Sequence, residues 1–437
     1  MEARFFQLSR ALFDSLSGSE IASLTLRAEE SSFARLSRAR VRQAGDVRQI
    51  VAELSLVDGG RQATATRTLG GGEDDAAALR GALDDLRELV RALPEDPHLL
   101  FDTSPRESAT RSAGELPDPR DAVSHILELG AGHDLVGVYA SGALHRGFAS
   151  SLGHRLWHTS ESLHFDFTLY AERDKAAKSA YAGTRFEAAA LEATIARAAA
   201  QVEILRRPPR VITPGRYRVY LTPSALSEIL GLLAYDAFGV KAHRTKQTAL
   251  LRMLDGATLA PSVSLAEERA SGVSPGFLPA GFARPERVEL ITGGRLAGAL
   301  ISPRSAREYG LEVNAGRTER PSSLTMAAGD LAEDEVLARL GTGIYVTDTW
   351  YTNYSDVTAA RVTGMTRFAT TWVEDGAMVA PLSVMRFDDS LYRLLGSELE
   401  ALSAEREWLP DGGTYFERST DSMLLPGALV REMTFTL

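Results

Sequence analysis

The sequence predicts an α+β fold. Strand and helix patterns are segregated along the chain instead of alternating regularly. Hairpin signatures stand in the first half, and after one apolar helix the second half is mostly short strands with Gly-rich turns. The same order argues against a doubly wound parallel sheet. At about 150 residues per domain, 437 residues predict two or three domains. The sharpest break is Arg206-Arg207-Pro208-Pro209, with Pro214-Gly215 just beyond. Two domains are therefore expected: an N-terminal α+β domain with an antiparallel sheet over residues 1–208, and a β-rich domain over 209–437.

Phe5, Leu8, Leu12 and Leu16 recur at helical spacing, and Gly18 can end that first helix. Residues 24–36 read as early strands of a sheet. Ile50, Ala52, Leu54 and Leu56 then alternate with mostly polar neighbours, and Asp58-Gly59-Gly60 turns the chain into a second strand around Thr64, Thr66 and Thr68. A helix is expected over 75–93, with Leu79, Leu83, Leu86 and Val90 on one stripe and acidic residues in its first turn, where they oppose the helix dipole. Residues 102–119 read as a loop, closed by the cap Asp118-Pro119 of a short helix that stops at Gly130. Strands over 135–140 and 143–149 flank an expected Ser141-Gly142 turn, Leu163, Phe165, Phe167 and Leu169 alternate in another strand, and an Ala-rich helix spans 186–204. Thr222-Pro223 caps a helix that runs to about Phe238. From Val288 onward short strands are expected, with turns such as Gly293-Gly294.

Composition narrows the function. The 58 acidic residues exceed the 48 basic ones, a net charge of −10, so the long-range field repels phosphate backbones and anionic membrane surfaces. Nucleic acid and membrane are not expected as ligands. The absence of cysteine removes disulfides, thiolate nucleophiles and every zinc site that needs sulfur. No window approaches the roughly 18 apolar residues of a membrane helix, and the charged start does not read as a secretion signal. The expected compartment is the cytoplasm.

His154 and His158 would share a face on a helix, yet their surroundings are strand-like, and on a strand they would stand about 13 Å apart. With His164 they read as solvated or hydrogen-bonded strand histidines. Gly70-Gly71-Gly72 and Gly341-Thr342-Gly343 lack the Lys and Ser/Thr of a phosphate-binding loop and read as turns. No Gly-x-Ser-x-Gly elbow is present around Ser141 or Ser227. The helix over 225–238 is apolar apart from Ser227, Glu228, Tyr235 and Asp236, a composition expected of a buried helix. A carboxylate such as Glu228 in that setting needs a partner, as a structural ion pair or as a remnant of chemistry.

Several stretches together resemble the TldD/PmbA family, also called modulators of DNA gyrase. They are 29–40 (EESSFARLSRAR), 151–153 (SLG), 178–183 (KSAYAG), 305–310 (SAREYG) with 314–317 (NAGR), 343–347 (GIYVT), Gly364, 372–376 (WVEDG) and Pro381-Leu382. The resemblance implies a two-subunit cytoplasmic metalloprotease acting on unfolded or extended peptides. Its catalytic subunit carries His-Glu-x-x-x-His on a helix, two zinc-binding histidines around a general-base glutamate, with a later cysteine as third ligand. The matching segment here is Ser227-Glu228-Ile229-Leu230-Gly231-Leu232. Both histidine positions, Ser227 and Leu232, hold non-ligands, Glu228 persists, and no cysteine exists. The resemblance thus implies the metal-free TldE/PmbA-like subunit, with no catalytic residue, metal or cofactor of its own, zinc in a TldD-like partner, and a peptide substrate. It departs at 321–326 (PSSLTM), where the family has an Asn- and Pro-rich segment. The alternatives are a stand-alone homodimeric peptide-binding or scaffold protein, and a hydrolase using His and carboxylate ligands elsewhere.

Overall fold

The computed structural model describes residues 1–172 and 175–436. Among them, seven strands form a first sheet: β1 (Ile21–Ser37), β2 (Val41–Asp58), β3 (Arg61–Leu69), β4 (Glu107–Ser112), β5 (Asp134–Ser150), β6 (Arg155–Glu172) and β7 (Lys175–Gly183). Their order is β3-β2-β1-β5-β6-β4, with β7 also on β6. The β2–β3 hairpin turns at Gly59 and Gly60, both at positive φ, as a tight two-residue turn requires.

Helices α1 (Glu2–Phe13) and α2 (Asp74–Ala92) cover one end of this sheet, burying Phe5, Leu12, Leu79 and Leu83 against Leu24 and Leu54. Helices α3 (Pro119–Leu129) and α4 (Ala188–Leu205) pack Ile126 and Ile195 with Phe165, Phe167 and Leu169. Each such side chain contributes about 1.5–3 kcal/mol on leaving water. Asp118 caps α3 by accepting from the Arg120 N–H at 2.8 Å, as the Asp-Pro signal predicts.

Two expectations fail in this sheet. There is no turn at Ser141-Gly142, because β5 runs unbroken beside β1, with Ser31 opposite Gly142. Gly142 has φ +143°, and a methyl there would stand 2.2 Å from the Glu30 carbonyl oxygen, so this glycine permits close strand approach. The stretch 102–119 is not all loop, since β4 within it pairs in parallel with β6.

The second sheet has thirteen described strands: β8 (Gly215–Leu221), β9 (Leu265–Glu268), β10 (Arg287–Thr292), β11 (Arg295–Leu296), β12 (Ser323–Met326), β13 (Gly343–Val346), β14 (Asp348–Asp356), β15 (Arg361–Arg367), β16 (Thr371–Glu374), β17 (Ala377–Pro381), β18 (Arg386–Ser390), β19 (Leu399–Pro410) and β20 (Ser422–Phe435). The main path is β11-β10-β9-β12-β20-β8-β13-β16-β17, and β14-β15-β18 branches from β20. The last two strands are long, 12 and 14 residues, contrary to the expectation of short strands. Pairing is mostly antiparallel, with parallel β8/β13 and β12/β20.

Helix α5 (Pro223–Asp236) is capped by Thr222, whose hydroxyl accepts from the Ala225 N–H. It buries Ala225, Leu226, Ile229, Leu230 and Leu233 in the second core. The helix is not wholly buried: Glu228, Tyr235 and Asp236 are exposed, and Ser227 and Leu232 are half-buried.

The segment between β19 and β20 ties the sheets together. The buried Arg418 guanidinium donates to Ser31 Oγ at 3.2 Å, Gly142 O at 3.3 Å and Ser162 O at 2.8 Å, all on the first sheet. Among the described residues no helix is long and apolar enough to cross a membrane.

Candidate functional site

A cavity of about 800 Å³ opens between the two sheets. β6 and β7 supply His164, Asp166 and Lys178, α5 supplies Ser227 and Glu228, and β14 begins in the wall with Asp348. Strand alternation places these groups, since His164 and Asp166 are two apart on one face of β6, while Lys178 lies on the neighbouring edge strand β7. The N-terminal half of α5 faces this space through Pro223, Ser224, Ser227 and Glu228. A smaller cleft of about 420 Å³, lined by Arg106, Glu107 and Phe277, carries only exposed charges.

Lys178 Nζ is 3.1 Å from Asp348 Oδ2, with side-chain exposures of 37% and 4%. Burial works against the Lys178 ammonium, but Asp348, Glu228 and Asp166 outweigh it and hold its pKa above the ordinary lysine value. Burial raises the Asp348 carboxyl, with Lys178 opposing, and raises Asp166 against the same lysine. Glu228 can be reached by water, yet the surrounding walls push its carboxyl up and the Asp348 charge adds to the effect. One ammonium thus stands among three carboxyls, each favouring its protonated form more than in water. Burial, reinforced by Arg418, holds His164 down to about 4, so its ring is neutral at pH 7. Burial holds Tyr345 up to about 12.

Of the site residues read from the sequence, Ser227 and Glu228 line this cavity and Leu232 packs beside it against the second core. The Ser227 hydroxyl donates to Ser224 O at 2.7 Å. Zinc needs several N, O or S donors converging at about 2.0–2.3 Å. A hydroxyl engaged with its own helix, one carboxylate and a hydrocarbon do not make that set. Among the described residues no group of three or more His, Cys, Asp or Glu could hold a metal ion. Glu228 has no cation within ion-pair distance among the described residues, so it is not the structural ion pair that one reading of the sequence expects.

The other candidates take structural roles. His158 bridges Thr110 Oγ1 at 2.8 Å and Val273 O at 2.9 Å. Ser150 Oγ lies 2.7 Å from His154 Nδ1, and Asp102 Oδ2 is 3.7 Å from Nε2. The residue types match a hydrolytic triad, but Ser150 and His154 are buried outside the cavity wall, and Ser150 Oγ also accepts the Leu152 N–H in the β5–β6 turn. The arrangement locks a hairpin. The N–H groups of Gly70 and Gly71 donate to the Asp75 carboxylate at 2.8 and 3.0 Å, which leaves no cradle for phosphate there.

Sequence reasoning did not single out Asp166 or Asp348, and took Lys178 only as part of a family-like stretch. The three charges come from separate strands, and no spacing between them signals their meeting.

The family model described as the PmbA/TldA metallopeptidase C-terminal domain matches residues 214–437. The fold is similar to that of a modulator-of-DNA-gyrase protein from Thermotoga maritima, with TM-score 0.79 and 14% identity over 99% of this chain and 100% of that one. TldE from Thermococcus kodakarensis is similar to the same degree, with TM-score 0.79, 14% identity and the same coverage. A modulator-of-DNA-gyrase protein from Bacteroides thetaiotaomicron gives TM-score 0.76 and 17% identity over 99% of this chain and 98% of that one. At these identities the likeness shows the fold alone. No curated protein matches the chain by sequence. By the match over its C-terminal half, the chain belongs to the PmbA/TldD metallopeptidase family.

Proposed function

We propose that the chain is the non-catalytic subunit of a TldD/TldE-type heterodimeric metalloprotease of the cytoplasm, acting on unfolded or extended peptides. One observation carries the reading: where the family's catalytic helix presents His-Glu-x-x-x-His, α5 presents Ser227, Glu228 and Leu232, beside a lysine–aspartate pair. In this reading zinc belongs to the TldD-like partner, and the present chain completes a peptide-binding chamber. Residues 1–208 and 209–437 act as its two domains, the second supplying most of the partner contact. Extended peptides can add to a free strand edge through backbone hydrogen bonds. β7 offers such an edge on the cavity wall, since it pairs only with β6 among the described strands.

The proposal is tested by co-expression with a TldD-like subunit, followed by size-exclusion chromatography with light scattering and a peptide-cleavage assay. A one-to-one complex is expected, with cleavage requiring both chains. A persistent homodimer beside a fully active partner would favour the stand-alone scaffold instead.

A further inference from the structure

The cavity carries more negative charge than it compensates. Among the described residues three cations line it and each is engaged: Lys178 with Asp348 at 3.1 Å, Arg197 with Glu333 at 3.9 Å, and Arg406 as donor to Thr325 Oγ1 and Met326 O. Asp166, Glu228 and Glu407 also line the space, and none of them has a cation within ion-pair distance among the described residues. Asp166 is half-buried, while Glu228 and Glu407 remain open to the space, so a ligand that brings positive charge can meet carboxylates that no protein cation neutralises.

A second, independent feature points to a ligand. His164 is 4% exposed and Thr347 is 7% exposed; both line the cavity, and His164 Nε2 and Thr347 Oγ1 have no hydrogen-bond partner among the described residues. Buried polar atoms are seldom left unpaired, since each costs the free energy of a lost hydrogen bond. The neutral imidazole and the hydroxyl can each donate or accept. They suit the uncharged polar groups of a peptide backbone, while the carboxylates suit its charge.

We propose that this cavity selects cationic peptides, holding an ammonium or guanidinium group against Asp166 and Glu228 while His164 and Thr347 bond the peptide backbone. The inference rests on the peptide-handling function proposed above and adds the charge of the substrate. The cationic group can be a free α-ammonium at the peptide's start or a Lys or Arg side chain.

Binding of fluorescently labelled hexapeptides to the purified 437-residue chain tests this by anisotropy. Four peptides share an alanine–serine frame with the dye at the C-terminus: free or acetylated at the N-terminus, with Lys or Glu at the third position. The free-amine Lys peptide is expected to bind at least about tenfold more tightly than the acetylated Glu peptide, the scale of one close ion pair in a partly dehydrated site. That preference should fall several-fold in Glu228→Gln and in Asp166→Asn. A preference following only the N-terminus, or only the Lys, supports the inference and names the source of the cation. Equal affinity for all four, or a preference for Glu, overturns it while leaving peptide handling in place. If no peptide binds, the peptide-handling reading fails, and spermidine replaces the peptides as probe. Spermidine binding that is lost in both variants supports the charge selection, and no binding overturns it.

Discussion

Lys178 Nζ on β7 lies 3.1 Å from Asp348 Oδ2 at the start of β14, so one ion pair spans the two sheets at the wall of their shared cavity. The aspartate is almost fully buried and the lysine reaches water. Removing the lysine would leave a dehydrated carboxylate unpaired, whereas removing both charges would leave none.

Lys178→Met is therefore expected to destabilise the protein by about 2 kcal/mol, below the usual range for a fully buried pair because Lys178 is partly exposed. Lys178→Met combined with Asp348→Asn should recover much of the loss. Urea unfolding followed by circular dichroism reads both. A single variant within about 0.5 kcal/mol of the parent, as for an ordinary surface change, would contradict the role given to the pair.

The cavity carboxyls set a pH dependence of defined sign. Asp166, Glu228 and Asp348 are raised by burial, so the folded protein binds their protons more tightly than the unfolded chain does. Stability from this source grows as pH falls through their folded values towards the ordinary carboxylate range, and it is lost as pH rises. Lowered carboxyls such as Glu20 and Glu400 act oppositely, but only below that ordinary range. The raised pKa of Lys178 matters only in alkali, where its contribution is lost. Burial holds His145, His158, His164 and His243 down, and these cost stability as pH falls through the ordinary histidine value. The carboxyl contribution is therefore read as a difference: the thermal midpoint of the parent relative to that of Glu228→Gln is expected to rise as the pH is lowered from neutral. A difference that shrinks or reverses as the pH is lowered would show that the Glu228 carboxyl is not raised.

Gly142→Ala should be costly although the position lies within a strand. The new methyl would meet the Glu30 carbonyl oxygen at 2.2 Å, so β1 and β5 must separate where Arg418 also bonds. A loss of about 3 kcal/mol or more is expected in chemical denaturation. A variant as stable as the parent would mean that the strands part easily there.

Much of the fold was legible because local chemistry and tertiary packing agree. Asp118-Pro119 and Thr222-Pro223 start helices, Gly59-Gly60 closes a hairpin, and Leu79, Leu83, Leu86 and Val90 form the buried stripe of α2. The failures occur where pairing overrides local signals. Ser141-Gly142 has turn chemistry but serves close strand approach, and β4 is a polar strand held by the ladder to β6 with little apolar pattern of its own. The opening of β2 at Val41 is similarly exposed and polar, so alternation begins only near Ile50. At the cavity, the helical position of Ser227 and Glu228 was readable from one segment. Asp166, Lys178 and Asp348 meet only through the packing of two sheets, which no local period encodes.

The exposed aromatics of β14 offer a test of the partner surface. Trp350 is 44% exposed and Tyr351 70%, their ring centroids are 4.2 Å apart, and Tyr351 sits at φ +52° in a bulge. Large exposed aromatic side chains are enriched among the residues that dominate interfaces. Replacing both with alanine is expected to weaken the complex with a TldD-like subunit by at least about tenfold in sedimentation or interferometry, with the isolated chain's melting midpoint little changed. Unchanged affinity would move the interface to another face.

If this chain supplies a charged peptide cavity and leaves the metal chemistry to its partner, zinc content is the decisive measurement. The purified chain, exposed to excess zinc and dialysed against a weak chelator, is expected to retain well under one zinc per chain by elemental analysis, and the complex with a TldD-like subunit about one zinc per pair of chains. About one tightly held zinc on the isolated chain would show that it carries a metal site of its own.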